Sequence, residues 1–204
     1  TRLAQGGLAA ALGPNDSVER HVEDTLRVSA GLGDRHVAQH VVSGAIGGVG
    51  WLAELGAAFV GLNFWPGSPR CLEVEAARRI AERVRGQVEV VGVFVDQPAE
   101  LVQGVSDRVG LDLVQLHGEE APAFVGRFGD RAIKVFRVGA DFDPAALSDF
   151  PDVWGYLFDC DHPTLVGGSG VAWTYERVAD VSRIKPVIVA GGLRPSNVAQ
   201  AIAK

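Results

Sequence analysis

Six continuous apolar runs recur between residues 59 and 190, and each is followed by a polar or glycine-rich turn. The runs are rich in Val, Ile and Leu and do not alternate with polar residues, which is typical of parallel strands buried on both faces. Segments with helical spacing lie between them, so the pattern predicts an α/β domain. The predicted strands are Phe59–Phe64, Glu89–Val95, Leu113–Leu116, Ala132–Phe136, Val153–Phe158 and Val187–Ala190. The predicted helices are Glu73–Val84, Ala99–Val109, Ala121–Phe128, a short piece at Pro144–Leu147, Thr174–Val181 and Pro195–Ala203.

Two α/β architectures fit this alternation. A doubly wound open sheet carries its phosphate signature at the first βα turn. Here the polar and glycine-rich turns recur after nearly every strand, at Pro66–Arg70, His117–Glu119, Asp159–Gly170 and Gly191–Pro195. Sites assembled from the ends of several strands are typical of (β/α)8 barrels. We therefore predict a fold of the (β/α)8 TIM-barrel type.

The first 50 residues depart from this regular pattern. Asp16 and Glu19 have the spacing of a capping box at the start of a helix. Val41–Gly44 is a candidate first strand. We predict an atypical, partly helical N-terminal segment over residues 1–50 and a barrel over residues 51–204 that lacks the final βα unit. A barrel without one strand has unpaired edges, so we expect the N-terminal segment to pack against the sheet.

Composition narrows the classes of function. The 204 residues, 47% of them hydrophobic and 22% charged, are typical of a globular domain with one sizeable core. A net charge of −6 argues against nucleic acid or an anionic membrane as the main partner. No apolar run is long enough to cross a bilayer and no signal-peptide pattern is present, so we expect a cytoplasmic protein. Cys71 and Cys160 lack the spacing of metal ligands, and no metal site is predicted.

The stretch Tyr156–Gly170 combines features from which α/β enzymes build a site. Asp159 follows a buried run, and the glycines around Ser169 let backbone N–H groups approach a ligand closely. Asp159 has two interpretations: a turn carboxylate that accepts backbone hydrogen bonds, or a catalytic acid. Its apolar setting favours the acid, because a carboxyl group retains its proton more readily there.

Three other strand ends carry candidate groups. Arg70 lies in the turn WPGSPR, and its guanidinium can bind a carboxylate or phosphate through two parallel hydrogen bonds, although a lone arginine on a turn is more often a surface residue. His117 is either a polar residue at the rim of the barrel or a ligand contact. Gly191 and Gly192 form either a tight turn or a phosphate site. A second glycine turn, at Gly168, favours the phosphate interpretation.

Taken together, these turns resemble the phosphoribosylanthranilate isomerase family of tryptophan biosynthesis. The resemblance covers about three quarters of the chain, in the family's order and spacing. The matching stretches are Glu54–Arg70 (ELGAAFVGLNFWPGSPR), Val90–Val95 (VVGVFV), Val114–Glu120 (VQLHGEE), Ala132–Val138 (AIKVFRV), Leu157–Val178 (LFDCDHPTLVGGSGVAWTYERV) and Val187–Ile202 (VIVAGGLRPSNVAQAI).

The resemblance implies a cofactor-free isomerase with a (β/α)8 fold. Its reaction is an Amadori rearrangement that converts N-(5′-phosphoribosyl)anthranilate to 1-(o-carboxyphenylamino)-1-deoxyribulose 5-phosphate. Asp159 would be the general acid, Arg70 would hold the anthranilate carboxylate, and His117 would lie at the rim near the substrate. The phosphate would be held by Gly168, Ser169, Gly191 and Gly192. The implied partner is a small phosphoribosyl substrate, and the implied assembly is a monomer or homodimer.

The chain departs from the family at two places. The family's first strand ends in Lys-Ile-Cys-Gly, whose cysteine is the general base, and its last strand carries Asp-Val-Ser-Ser-Gly. Neither motif occurs here, and Ser43–Gly44 is the nearest counterpart of the first. A serine hydroxyl is a poor base because it is not ionised near neutral pH. A non-catalytic phosphosugar-binding barrel is therefore a second interpretation. Another phosphosugar isomerase is a third, although the WPGSPR turn suits an aromatic carboxylate.

Overall fold

Strands and helices alternate along the described part of the chain. The computed structural model describes residues 3–4, 19, 22–23, 35, 56–68, 70–139, 142–160 and 181–191, and the structural statements below concern these residues. The strands are β1 (Leu3–Ala4), β2 (Phe59–Asn63), β3 (Glu89–Phe94), β4 (Leu113–Leu116), β5 (Ala132–Val138), β6 (Gly155–Cys160) and β7 (Val187–Ala190). The helices are α1 (Val74–Val84), α2 (Ala99–Val109) and α3 (Pro122–Val125). Short 3-10 helices cover Gly129–Arg131, Pro144–Asp149 and Val181–Arg183.

The chain divides into two compact units. The first unit comprises residues 1–6, 94–99 and 114–204, and the second comprises residues 7–93 and 100–113. In the second unit, β2 and β3 pair in parallel, from Phe59 opposite Glu89 to Asn63 opposite Val93. Helix α1 is amphipathic: it buries three alanines and Val84, while its exposed face carries Arg78 bonded to Glu75 and Glu82.

The first unit contains a parallel sheet in the order β1-β7-β6-β5-β4. All four residues of β4 and all four of β7 are buried. This burial explains why the strands appear in the sequence as continuous apolar runs. Leu3 and Ala4 pair with Ile188 and Val189. The expected packing of the N-terminal segment against the sheet is therefore observed at these two residues.

The strand bounds agree with the predicted ones to within two residues, and the difference in β6 affects the site. The predicted run Val153–Phe158 begins later, at Gly155, and continues to Cys160. The extension arises because β5 also runs two residues beyond Phe136, and the two strands stay paired as far as Val138 opposite Cys160. Asp159 consequently lies inside the strand and not after its end.

The predicted helix Ala121–Phe128 is much shorter than expected. It ends at Val125, and a 3-10 turn follows that begins at Gly129 with φ +50°. After Gly126, a residue type of low helix propensity, the backbone changes to i→i+3 hydrogen bonds: the N–H of Arg127 donates to the Phe124 carbonyl at 3.1 Å and that of Phe128 to the Val125 carbonyl at 3.0 Å.

The piece predicted at Pro144–Leu147 is likewise a 3-10 helix. It is capped by Asp143, whose carboxylate accepts a hydrogen bond from the Ala145 N–H at 2.9 Å. The candidate strand Val41–Gly44, the helix Pro195–Ala203 and all but the last residue of Thr174–Val181 lie outside the described residues. Within the described part of the chain, no helix is both long and apolar enough to span a bilayer.

A cluster of aromatic side chains covers one face of the sheet in the first unit. Phe136 lies at its centre, with ring centroids 5.7 to 6.2 Å from those of four neighbours: Phe142, Phe150, Tyr156 and Phe158. The hydroxyl of Tyr156 lies 3.2 Å from the Leu147 carbonyl oxygen and 3.0 Å from that of Phe150. It therefore ties the 3-10 helix over Pro144–Asp149 to β6.

Tyr156 makes stability depend on pH in the alkaline range. Burial raises the pKa of its hydroxyl above the ordinary value of 10.0, so the folded chain holds the phenolic proton more tightly than the unfolded chain does. The resulting stabilisation is fully present below the unfolded pKa and is lost as the pH rises through the folded pKa. We expect the free energy of unfolding, measured with urea, to fall more steeply above about pH 10 in the wild type than in Tyr156→Phe. Parallel pH profiles of the two proteins would contradict this.

Candidate active site

His117 and Asp159 meet at the carboxyl ends of β4 and β6. His117 directly follows β4, and its backbone N–H donates to the carbonyl of Phe94 at 2.9 Å. Its Nε2 lies 3.3 Å from Oδ2 of Asp159, and the two side chains are 24% and 31% exposed. A partly exposed imidazole beside a partly exposed carboxylate can exchange protons with a bound molecule.

Gln115 holds the other side of the His117 ring. Its amide nitrogen lies 3.2 Å from Nδ1 of His117, and Gln115 itself is only 3% exposed. When the amide donates to Nδ1, the ring proton resides on Nε2 and points at Asp159. Side chains alternate along a strand, so Gln115 and His117 share one face of the sheet. His117 thus contacts the buried amide of Gln115 through Nδ1 and the partly exposed carboxylate of Asp159 through Nε2.

A buried ion pair lies behind the His117 turn. Nζ of Lys134, on β5, is 2.7 Å from Oε2 of Glu120, and their side chains are 6% and 3% exposed. Nζ also donates to the carbonyl of Gly118 at 2.7 Å. The second oxygen of Glu120 accepts from the N–H groups of Gly118 at 2.9 Å and Asp96 at 3.2 Å. The ion pair therefore binds both the N–H and the carbonyl of Gly118, the residue that follows His117.

Gly118 has little room for a side chain. A Cβ atom there would overlap the carboxylate of Asp96, whose Oδ1 accepts from the Glu119 N–H at 2.7 Å. Asp96 itself has a φ of +49°, in the left-handed region. Asparagine and aspartate are the non-glycine residues that enter this region most readily. The turns after β3 and β4 can therefore approach closely because glycine occupies position 118 and aspartate occupies position 96.

The glycine turn after β7 lies beside Asp159. Asp159 is opposite Ala190 in the β6–β7 register, and Gly191 follows with φ +76°. A non-glycine residue would be strained in this conformation. The other predicted members of the phosphate site, Gly168, Ser169 and Gly192, lie outside the described residues.

Arg70 belongs to the second unit, at the end of a compact turn after β2. Oδ1 of Asn63 accepts from the Trp65 N–H at 2.9 Å, and the Ser68 hydroxyl accepts from the Arg70 N–H at 3.1 Å. The N–H of Leu72 donates to the Asn63 carbonyl at 2.8 Å and closes the turn. Arg70 is exposed, so its guanidinium is accessible to an anion.

Cys71 is not a substitute for the cysteine that acts as general base in phosphoribosylanthranilate isomerases, the family that the sequence resembles. Burial, reinforced by the negative charge of Glu73, raises the pKa of its thiol. The thiol is therefore protonated near neutral pH, whereas a base needs the thiolate. Among the described residues, no group of three or more His, Cys, Asp or Glu side chains is arranged to hold a metal ion.

Comparisons with known proteins identify the family. A sequence profile for N-(5′-phosphoribosyl)anthranilate (PRA) isomerase matches residues 46–204. An N-(5′-phosphoribosyl)anthranilate isomerase of Geobacter sp. (strain M21) is 44% identical over 151 residues, which are 74% of this chain and 74% of that protein.

Solved structures agree with the sequence matches. The phosphoribosyl anthranilate isomerase of Thermotoga maritima superposes with a TM-score of 0.66 at 32% identity over 78% of each chain. An isomerase in complex with reduced 1-(o-carboxyphenylamino)-1-deoxyribulose 5-phosphate superposes with a TM-score of 0.65 at 28% identity, over 78% of this chain and 76% of that one. These matches confirm the predicted (β/α)8 TIM-barrel type of fold. The chain belongs to the N-(5′-phosphoribosyl)anthranilate isomerase family.

Proposed function

We propose that this chain converts N-(5′-phosphoribosyl)anthranilate to 1-(o-carboxyphenylamino)-1-deoxyribulose 5-phosphate, a step of tryptophan biosynthesis, with Asp159 as the general acid. The observation that carries this proposal is the contact between His117 and Asp159 at the carboxyl ends of two parallel strands, in a chain of this family. Catalytic groups in barrels of this type come from that end of the strands.

In the first step, Asp159 delivers a proton to the furanose ring oxygen. The C1′–O bond breaks, the ring oxygen leaves as a hydroxyl group, and the lone pair of the anthranilate nitrogen forms the C1′=N bond of a protonated imine, which keeps the N–H. Because Nε2 of His117 faces Oδ2 of Asp159, Oδ1 is the oxygen that carries the transferable proton. A protonated carboxyl group can accept at one oxygen while it donates from the other.

In the second step, a base removes the proton from C2′. The electrons of that bond form a C1′=C2′ double bond and the imine nitrogen regains its lone pair, which gives an enolamine. Transfer of the enol proton to C1′ then yields the ketone. No oxidant or reductant is consumed, so the rearrangement requires acid–base groups and no cofactor.

The substrate carries two anionic groups that the chain can bind separately. Arg70 can hold the anthranilate carboxylate through its planar guanidinium. The phosphate suits the N–H groups of the glycine turns at Gly168–Ser169 and Gly191–Gly192, because phosphate sites in such barrels lie in the loops after the last strands. The left-handed Gly191 beside Asp159 supports this assignment.

Replacing Arg70 with alanine tests the carboxylate assignment. We expect KM to rise about 10- to 100-fold with a smaller change in kcat, because a hydrogen bond to a charged group contributes about 1.5–3 kcal/mol to binding. The exposed Arg79 on helix α1 gives a matched control, and Arg79→Ala should leave both constants unchanged. A KM for Arg70→Ala within twofold of the wild type would contradict the assignment.

The activity itself is tested by the anthranilate fluorescence of the substrate. Addition of the chain to freshly prepared N-(5′-phosphoribosyl)anthranilate should accelerate the loss of fluorescence in proportion to protein concentration. The competing function is a phosphosugar-binding barrel without turnover. It draws support from the sequence, which has Ser43 nearest to the family's cysteine base. Calorimetric binding of the reduced product analogue without any loss of substrate fluorescence would favour that function.

A further inference from the structure

We propose that the buried Lys134–Glu120 ion pair is a positioning device for His117, and through it for the acid Asp159. This inference rests on the proposed function, since it assigns residues that orient the same site. The pair, together with the Gly118 peptide groups that it binds, is called the clamp below. All of its members lie in the first unit.

The clamp fixes the residue that follows His117 in the chain. Glu120 accepts a hydrogen bond from the Gly118 N–H, while Lys134 donates one to the Gly118 carbonyl. Both bonds involve a charged group and are therefore stronger than bonds between neutral groups. Two such bonds on opposite sides of Gly118 leave the preceding Cα–C bond, and hence the His117 backbone, little freedom to rotate.

The clamp acts on the site only through the backbone. Lys134 is opposite Leu116 in the β4–β5 register, whereas Gln115 is opposite Ile133. Because side chains alternate along strands, Lys134 points to the face opposite that of Gln115 and His117. Its Nζ lies 5.8 Å from the ring centroid of Phe150, within the aromatic cluster. Lys134 therefore lies on the face away from the His117–Asp159 contact, and we assign Lys134 and Glu120 as positioning residues and not as catalytic ones.

Stability alone does not account for a charged pair at this place. Apolar residues of similar size commonly stabilise a core as well as a buried ion pair does. What apolar residues cannot do is hold a peptide N–H and a peptide carbonyl at the same time. The geometry that the charges impose on Gly118 is therefore the property that distinguishes this pair from an apolar core.

The clamp affects the reaction by fixing the orientation of His117 and of the Asp159 carboxyl group. Nε2 of His117 contacts Asp159 at 3.3 Å, just beyond the usual range of N–H···O hydrogen bonds, about 2.7–3.2 Å. A small shift of the His117 backbone breaks this contact and releases the Asp159 carboxyl group to rotate. A misplacement of about 1 Å can reduce a rate about 100-fold even when the altered residue is remote from the chemistry.

The test compares two double variants with the wild type. Lys134→Met/Glu120→Leu removes every bond of the clamp, while Lys134→Met/Glu120→Gln keeps an acceptor for the Gly118 N–H. We expect kcat to fall about 10- to 100-fold in the first and less in the second, with KM within about twofold of the wild type. Lys185→Met is the control, because it also removes a hydrogen bond from a lysine to a backbone carbonyl, that of Val153 at 2.6 Å. Val153 and Lys185 precede β6 and β7, at the end of the sheet opposite to Gly118.

A His117→Asn background separates positioning from general disturbance. If the clamp acts through His117, Lys134→Met/Glu120→Leu produces no further loss of kcat once the imidazole is absent. An equal loss in both backgrounds, or an unchanged kcat in the wild-type background, would overturn the inference.

A second readout does not depend on activity. In NMR spectra with ¹³C-labelled histidine, the ring signals of His117 should shift or broaden in Lys134→Met/Glu120→Leu and stay in place in Lys185→Met. Unchanged His117 signals in the clamp variant would overturn the inference even if the wild type is active. A wild type without turnover, but with the expected change in the His117 signals, would instead contradict the proposed function and leave the positioning role standing.

Discussion

Replacement of Asp159 with asparagine is expected to lower kcat about 1,000-fold, since general acid–base groups contribute about 100- to 10,000-fold to a rate. The amide has the shape of the carboxyl group and can keep the contact with Nε2 of His117. It cannot release a proton to the furanose oxygen at neutral pH. The loss should therefore appear in kcat measured by substrate fluorescence, with little change in the binding of the reduced product analogue.

Asp152→Asn is the matched control for this variant. Asp152 is exposed in the turn that precedes β6, so the same chemical change at that position should leave kcat at the wild-type value. A kcat for Asp159→Asn within tenfold of the wild type would show that another group supplies the proton.

Replacement of Lys134 with methionine is expected to reduce the free energy of unfolding by about 3–5 kcal/mol, because it leaves the Glu120 carboxylate buried without its partner. Urea unfolding followed by circular dichroism measures the change. Lys134→Met/Glu120→Leu should recover most of the loss, since an apolar pair of similar size needs no desolvated charge.

The exposed ion pairs of Arg78 give the contrast. Arg78→Met removes contacts of 3.1 Å and 2.7 Å to Glu75 and Glu82, distances comparable to that of the buried pair. Water solvates these charges in both the folded and the unfolded chain, so no measurable loss is expected. A loss for Lys134→Met as small as that for Arg78→Met would mean that water reaches Glu120 in the folded protein.

Most of the strand pattern could be predicted from the sequence because burial on both faces leaves a simple signal. A parallel strand covered by helices needs apolar residues at every position, as in β4 and β7, and such runs stand out from their polar turns. Helix lengths were harder to predict. The apolar spacing of Ala121–Phe128 indicates one helix, but periodicity does not report that i→i+4 hydrogen bonds give way to i→i+3 bonds after Gly126.

Sequence reasoning identified His117 and Asp159 as candidate site residues, and the structure places their side chains in contact. His117 and Asp159 each follow an apolar run, and parallel strands place their carboxyl ends at one edge of the sheet. The predicted common rim for these two and Arg70 stays a prediction, as do the roles of Gly168, Ser169 and Gly192.

The supporting residues were missed by sequence reasoning. Gln115, Glu120 and Lys134 occur within stretches that were noted only for their strands and for their resemblance to the family. A signal was present for Lys134, because a lysine inside the apolar run AIKVFRV must either reach water or find a buried carboxylate. The identity of that carboxylate depends on the turn after β4, which folds Glu120 back beneath His117. The spacing of residues in the sequence does not predict the turn that brings Glu120 to Lys134.

A crystal structure of the chain with the reduced product analogue would show directly whether Asp159 is the general acid. We expect the Asp159 carboxyl group to lie within about 2.6–3.2 Å of the oxygen that derives from the furanose ring, with His117 in contact with its other oxygen. An analogue bound at another place in the protein, with Asp159 and His117 in contact only with each other and with water, would mean that Asp159 is not the general acid.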